Sequence, residues 1–422
     1  MSELPHRDRD AAPADYDLVV IGGGAAGFFG AIHAGLAAPG ARVVILEQAA
    51  RTLQKVRISG GGRCNVTHAE FDPRQLVTHY PRGRRELRGP FSRYAPGDTM
   101  DYFERRGVAL KIESDNRVFP ASDDSADIAA ALERHARELG VAVRTRCKVT
   151  GVKLTPEGFS VGLSKAGSLT AKHVLLATGS TPSAWSWVAR LGIRLVDAVP
   201  SLFSLNVPEP ALHGLKGLSV SDATVAFPRE GIRTRGPLLI THWGLSGPAA
   251  LRASAEGALA LHASGYETSF RVSWTGHTRA EMQDYLRATR HQAGGQRVTF
   301  PLGLPLPRRL WAFVLSRAGL DPAAQWANLG KRQLGALATE LTEGEFAMRG
   351  KTRFKDEFVT AGGIDLREVD FATFGLRSVP GAYAAGELLN IDGVTGGFNF
   401  QAAWTGGYLA GTAIGEALRQ NR

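Results

Sequence analysis

Three patches of this 422-residue chain carry residues whose types and spacing could do chemistry. The first is Gly22-Gly23-Gly24-Ala25-Ala26-Gly27, a G-x-G-x-x-G match, with Glu47 twenty residues beyond Gly27. Such a turn holds a diphosphate. Gly22 permits the tight turn, Gly24 lets the backbone approach the pyrophosphate, and Gly27 lets helix and strand pack closely. A helix opening at Ala25 and Ala26 would offer unpaired N–H groups and partial positive charge to the phosphates. Glu47 is placed to accept hydrogen bonds from a ribose, with Gln48 beside it as a further cofactor candidate, and a carboxylate there disfavours a 2′-phosphate. The second patch is Ile58-Ser59-Gly60-Gly61-Gly62-Arg63-Cys64-Asn65. Three successive glycines present unhindered N–H groups, a nest for anionic or carbonyl oxygens. Ser59 and, just upstream, Lys55 count with it as cofactor candidates. Arg63 and Asn65 could orient a substrate carbonyl or bind the cofactor itself. Cys64 beside Arg63 could be a redox thiol, or, with no resolving cysteine nearby, a packing residue. The third patch is Thr241-His242-Trp243-Gly244-Leu245-Ser246-Gly247-Pro248. Histidine is the residue type best suited to proton transfer near neutral pH, which makes His242 the leading candidate, and Trp243 could shape a planar pocket. The competing reading of His242 is a structural histidine in a turn, since one histidine without a visible partner is weak evidence.

The elements around these patches set their geometry. Residues 16–21 and 41–46 are short β-branched runs that read as buried strands, and 25–38 is an alanine-rich helix between them. That βαβ unit implies a parallel sheet. Residues 123–139 read as a helix capped by Asp123 or Asp124 and ended by Gly140. Strand-like segments follow near 141–146, 148–154 and 159–164, and a buried strand closes at 173–177. From about 195 to 275, short strands broken by Pro and Gly suit a β-rich insertion. Residues 279–341 read as helical with proline breaks at 301–307. The tail returns to α/β character, with a strand near 382–385 and a helix from about 400.

The first fingerprint alone does not separate NAD from FAD; the rest of the chain does. An NAD site needs no second glycine platform just after the ribose acid, whereas an extended FAD must also seat an isoalloxazine ring. Ala177-Thr178-Gly179 ends a buried strand where the chain returns to the cofactor. Near the C-terminus lie Gly386-Glu387, Asp392-Gly393 and Thr395-Gly396-Gly397-Phe398-Asn399, followed by a helix. That helix is expected to aim its N-terminus at the flavin pyrimidine and stabilise negative charge on the reduced ring. Glu387 could bond a ribose or ribityl hydroxyl. No second G-x-G-x-x-G with its acid is present, so a nicotinamide donor would bind only transiently.

Bulk properties narrow the classes further. The composition is 44% hydrophobic and 21% charged, which is ordinary for a globular protein with a large core. The two cysteines, Cys64 and Cys147, form no ligand or disulfide pattern. A reducing, cytoplasmic setting is therefore expected. No apolar run reaches the length of a membrane span, and residues 1–15 read as a polar disordered tail without a signal-peptide core. The net charge of +10 reads as a mixed, solvated surface or a field for anionic cofactors. Arg82, Arg84, Arg85, Arg88 and Arg93, interleaved with Tyr80, Phe91 and Tyr94, give a weak nucleic-acid signature without a known module.

The motifs ISGGGRCNVTH, RVFPASDDSADI, THWGLSGPA and YAAGELLNIDGVTGGFNFQAAWTGGYLAG, in this order, resemble the bacterial flavoproteins grouped as BaiN-like or aminoacetone-oxidase-like FAD-binding enzymes. The resemblance covers nearly all of the chain after residue 15. It implies an α/β fold: a discontinuous Rossmann-type FAD domain over 16–193 and 352–422, an inserted β-barrel-like domain over 194–278 and 341–351, and a small helical insert over 279–340. It implies FAD contacts at the glycines of 22–27, at Glu47, along 59–65, along 386–399, and at Val149, whose backbone would meet the adenine. Ser180-Thr181-Pro182-Ser183 stand where the family has further glycines. The expected activity is hydride transfer between bound FAD and a small organic substrate, either an activated C=C bond or an amine or alcohol, with NAD(P)H as a transient donor. The alternatives are a flavin-dependent RNA-binding or RNA-modifying protein and a redox sensor without turnover.

Overall fold

The buried apolar runs assemble the sheet that carries the glycine turns. The computed structural model describes residues 14–165, 167–351 and 359–420. The chain divides into two units, 1–198 with 362–422, and 199–361.

In the first unit, β1 (Tyr16–Ile21) leads into α1 (Ala25–Ala37) and β2 (Val43–Leu46). Every residue of β1 after Tyr16 is buried, as a strand covered on both faces requires. It lies parallel to β2 on one side and to the strand Ser168–Leu176 on the other, with Leu18 opposite both Val43 and His173. The late strand Ala382–Ala384 joins Ser168–Leu176 in parallel, and Ala142–Arg144 extends the other edge beyond β2. The two ends of the chain thus share one sheet. The helix Ser125–Glu138 begins at Asp124, whose carboxylate accepts the Ala126 N–H.

The C-terminal helix Phe398–Gln420 lies directly on α1. A Cβ on Gly411 would sit 2.3 Å from the Gly30 carbonyl oxygen, so only glycine permits this approach. Aromatic rings fill the space beside the seam: Phe29 stands 4.7 Å from Tyr102 and 5.2 Å from Trp404, centroid to centroid.

Two buried histidines sit in this layer and predict an acid sensitivity. His33 donates its Nδ1–H to the Phe29 carbonyl at 2.8 Å, and burial pushes its pKa down to about 4. His135 accepts at Nε2 from Arg106 at 2.6 Å and donates from Nδ1 to the Tyr102 hydroxyl oxygen at 3.0 Å. Burial, reinforced by the Arg106 charge, pushes it to about 4 as well. A histidine neutral in the fold and titrating near its ordinary value when unfolded stabilises the protein above that value. The stabilisation is lost as pH falls from there through 4. For His33 the loss by pH 4 is about 3 kcal/mol. Urea melts between pH 7 and 4 should show it, and His33→Gln should flatten the slope. An identical slope in that variant would remove His33 as its source.

The second unit is built on a six-stranded antiparallel sheet. Its order is Leu205–Asn206, Gly244–Ser246, Ile232–Ile240, Ser219–Phe227, Glu267–Ser273 and Gly344–Arg349. A bridge between Leu205 and Lys351 brings the two edges together, so the sheet is nearly a closed barrel. The expected helical stretch is present as Arg279–Gln292, Arg308–Arg317 and Lys331–Glu343, with the proline-rich 301–307 between the first two. It does not stand apart. Met282, Leu286, Trp311 and Leu337 share one buried cluster with Val225 and Phe270 of the sheet. The unit that holds both has its boundaries at 198/199 and 361/362.

Of the expected N-terminal tail, residues 1–13 lie outside the described residues. Asp15 is fastened: its N–H donates to Thr170 Oγ1 at 2.9 Å, and its carboxylate accepts the Thr170 N–H at 2.8 Å.

Candidate cofactor site

The turn after β1 is held by protein on two sides and empty on a third. Gly22 has φ of 112°, and a Cβ there would lie 2.3 Å from the Ala177 carbonyl oxygen. A Cβ on Gly27 would lie 1.9 Å from the Gly22 carbonyl oxygen. A Cβ on Gly24 would meet nothing within 4 Å. Gly24 is the N-cap of α1 without a side-chain cap, and the first turn, opened by Ala25 and Ala26, has no acidic residue. Its N–H groups and its dipole are therefore available to an anion.

Glu47 closes the ribose end. Its Oε2 accepts the Gly23 N–H at 2.9 Å and its Oε1 the Ala49 N–H at 2.7 Å, and each oxygen retains a lone pair for a hydroxyl donor. A shallow, half-open cleft lies here, bounded by Gly22, Glu47, Gln48, Val149, Thr178 and Trp187. Five of those six were expected from the sequence. Trp187, with Thr181 and Ser183 nearby on the cleft wall, was not. The departure at 180–183 explains the omission: Pro182 starts the helix Pro182–Arg190, which brings Trp187 to the cleft.

The second glycine run keeps three successive positive φ values, 57°, 71° and 90° at Gly60, Gly61 and Gly62. Around Gly61 and Gly62 the space is open. The neighbouring side chains are committed. Arg63 donates to Glu113 at 2.7 Å and Asp123 at 3.3 Å, and lies 4.0 Å over the Phe119 ring. Asn65 donates to the Thr67 carbonyl at 2.9 Å and accepts the Gly397 N–H at 3.0 Å, tying this loop to the C-terminal turn. Cys64 is fully buried, its N–H on the Ser59 carbonyl at 3.0 Å. Burial pushes its thiol up to about 12, which favours packing over redox chemistry.

The chain ends converge on this loop. The Lys55 ammonium pairs with the Glu387 carboxylate. A Cβ on Gly386 would sit 3.0 Å from the Ala26 Cβ, and one on Gly179 4.0 Å from Glu387 Oε2. Asn399 staples its turn, accepting the Gly393 N–H at 2.8 Å and donating to the Gly393 carbonyl at 3.0 Å. Phe398 is buried between His79 and His68, at 4.2 and 4.5 Å, and its carbonyl accepts the Tyr80 hydroxyl at 2.6 Å. Asp392 is fully buried with both carboxylate oxygens held by Arg82. Asp392 can offer a ligand its backbone, whereas Arg63, bonded through Nη1 and a third exposed, keeps Nε and Nη2 for one.

His242 belongs to the second unit. It is exposed on the turn between Ile232–Ile240 and Gly244–Ser246, its ring 4.0 Å from that of Trp243.

These residues fit FAD. The cleft at Glu47 suits an adenosine, the open face of Gly24 a pyrophosphate, and the open Gly61-Gly62 backbone the rest of an extended molecule. The helix Phe398–Gln420, with no acid in its first turn, suits the pyrimidine end. Glycine spacing and strand periodicity had marked the turns that lie here. The Lys55–Glu387 and Arg82–Asp392 pairs were hidden, because 332 and 310 residues separate their partners.

The model of the HI0933-like protein Rossmann domain matches residues 16–413. A 3-dehydro-bile acid delta(4,6)-reductase of Clostridium scindens is 30% identical over 94% of this chain and 98% of its own length. A ribosomal RNA dihydrouridine synthase of Escherichia coli is 29% identical over 92% of this chain and 96% of its own. Among solved structures, the 3-ketosteroid-delta4-(5alpha)-dehydrogenase of Rhodococcus jostii shares the fold. It has a TM-score of 0.50 and 15% identity, covering 96% of this chain and 98% of that one.

Proposed function

The chain belongs to the HI0933-like Rossmann family of FAD-dependent oxidoreductases, and from that premise we propose that it reduces a carbon–carbon double bond conjugated to a carbonyl, with NAD(P)H as a transient electron donor. The observation that supports this reading is the convergence of glycine turns from both ends of the chain at one edge of the sheet, with no second dinucleotide turn among the described residues. Two full-length relatives, named for a bile-acid reductase and a dihydrouridine synthase, support the bond type: each name describes reduction of an activated C=C.

Reduction of such a bond needs a hydride at one carbon and a proton at the other. The hydride is the chemistry FAD supplies when bound. The chain's part is to hold and polarise. The Gly24 amide and the start of α1 would fix the diphosphate, Glu47 the ribose, and the first turn of Phe398–Gln420 would favour negative charge at the reduced pyrimidine. His242 is the proton-transfer candidate, carried by the second unit.

The test is anaerobic reduction of the purified holoenzyme by NADH and NADPH, followed at about 450 nm, then addition of acceptors. Colour should return with a 3-oxo-Δ4 steroid or a uridine-containing oligoribonucleotide, and not with their saturated counterparts. Bleaching of the flavin by amines or alcohols, with no response to either unsaturated acceptor, would overturn the proposal. Loss of turnover in His242→Ala, with flavin content intact, would support the proton-transfer role.

A further inference from the structure

We propose that Gln401 is a positioning residue for electron transfer. With Thr67 and Thr99 it clamps the start of the helix Phe398–Gln420 to the strand that follows the second glycine run, and so keeps the reduction potential of the bound flavin raised. The inference rests on the placement of the pyrimidine end at that helix start. It goes beyond the double-bond reading above and stands whichever acceptor takes the electrons.

Gln401 stands in the first turn of that helix and is completely buried. Packing alone would be served by an apolar side chain, and a buried amide costs stability unless its groups are bonded. Gln401 is bonded at both ends. Its Oε1 accepts from Thr67 Oγ1 at 2.6 Å and from Thr99 Oγ1 at 2.9 Å. Its Nε2 donates to Thr405 Oγ1 at 3.1 Å. The Thr405 hydroxyl donates in turn to the Tyr94 carbonyl at 3.0 Å. A carbonyl only accepts, so the Thr405 proton is spent there and its oxygen must receive the amide nitrogen. That fixes which way the Gln401 amide faces. All three threonines are fully buried.

The two donors to Oε1 come from different elements. Thr67 opens the strand Thr67–His68, and Thr99 lies in the helix Pro96–Arg105. The strand side of the clamp continues through its neighbours. Asn65 bridges the Gly397 N–H and the Thr67 carbonyl, and His68 donates from Nδ1 to the Gly396 carbonyl at 3.0 Å. Trp404 donates from Nε1 to the Val66 carbonyl at 2.9 Å. A Cβ on Gly397 would lie 2.5 Å from the Thr67 carbonyl oxygen, so strand and helix start are in direct contact. The Gln401 N–H closes the first helical bond on the Gly397 carbonyl at 3.0 Å. One residue therefore joins the backbone of the helix start to the side chains of two other elements. Asn65 is three residues past Gly62, which ties the same start to the open glycine backbone.

The first N–H groups of a helix have no partner within it, and they favour negative charge only close to the first turn. Their effect on a reduced pyrimidine depends on where the turn is held. The glycine seam with α1 sets how closely the helix lies on its neighbour, but an apolar seam tolerates sliding along its length. Hydrogen bonds do not, because they weaken steeply with distance and angle. A fully bonded buried network specifies one arrangement. The seam sets the depth of the helix, and the Gln401 network sets its register.

The experiment measures the two-electron reduction potential of the holoenzyme by equilibration with a dye of known potential. Gln401→Met removes the amide at nearly constant volume. Thr67→Val/Thr99→Val keeps the shapes and removes both donors to Oε1, and Thr67→Ser keeps its hydroxyl. Leu418→Ala, buried near the far end of the same helix, is the comparison for lost stability. In Gln401→Met and in the double valine variant, the preference for reduced over oxidised flavin should fall about fivefold, or about 20 mV for two electrons. Thr67→Ser should keep the wild-type potential. Leu418→Ala should lower the melting temperature and leave the potential where it was. The double valine variant reads the same quantity should Gln401→Met fail to fold. Wild-type potentials in the clamp variants would overturn the proposal. So would an equal fall in Leu418→Ala, which would assign the effect to stability alone. A fall confined to the clamp variants sustains it, even in an enzyme that reduces no enone.

Discussion

Gly24→Asp is expected to yield a folded protein that has lost its flavin, whereas Gly27→Ala is expected to yield one that has lost stability. The two glycines lie three residues apart in one motif, and the structure gives them opposite work. Gly24 is the N-cap of α1 with φ of −95° and ψ of −167°, an extended conformation any residue adopts. Aspartate is among the best N-cap residues, so its carboxylate should bond the orphan N–H groups and hold or raise the stability of the apoprotein. It then occupies the anion site with its own charge. A diphosphate bound there would lose its N–H partners and meet a like charge. FAD affinity should fall by at least about two orders of magnitude, near 2.7 kcal/mol. Gly27 faces no ligand space. An alanine Cβ would be 1.9 Å from the Gly22 carbonyl oxygen, so α1 must lift from the turn. Overpacking of this kind costs about 1–3 kcal/mol, and flavin loss would follow only from the displaced helix. The 450 nm absorbance per protein and the melt of each apoprotein separate the two effects. A stoichiometrically yellow Gly24→Asp protein would show that no phosphate lies over that amide.

The same contrast shows what the sequence could and could not disclose. The β1–α1–β2 unit is legible because its signals are local: apolar runs of strand length, glycines at fixed offsets, and an acid at the next strand end. Asp124 as the cap of Ser125–Glu138 is legible for the same reason. The β-rich insertion is legible from its short broken strands and its barrel form only through the family resemblance, while its union with the helical stretch is not legible. Whether Met282 and Trp311 pack on Val225 or on one another is decided by contacts across many residues. Pro182 read as a break in the expected glycine pattern, yet it starts the helix that supplies Trp187 to the cleft. Cys64 beside Arg63 looked electropositive. The arginine turned instead to Glu113 and Asp123, and the thiol went into the core. Charged residues are the least legible, because their type announces chemistry while their role depends on partners far along the chain.

Asp392 is the sharpest case, and Arg82→Met should be among the most destabilising single changes in the first unit. The Asp392 side chain is wholly inaccessible and that of Arg82 is 11% exposed. Removing the cation breaks a buried ion pair, at a cost of about 3–5 kcal/mol. Because Asp392 opens the turn stapled by Asn399, flavin binding should weaken along with stability. Asp392→Asn with Arg82 intact should destabilise in the same direction, since it removes the charge that faces the guanidinium. The double variant Arg82→Met/Asp392→Leu decides the interpretation. If the two residues serve each other, their removal together should cost much less than the sum of the single changes, and a large coupling energy should emerge from urea melts. If Asp392 instead served the cofactor directly, Asp392→Asn would lower flavin affinity while leaving the apoprotein melt unchanged. Coupling would then be near zero. Only the first pattern agrees with a carboxylate whose two oxygens are both held by one arginine.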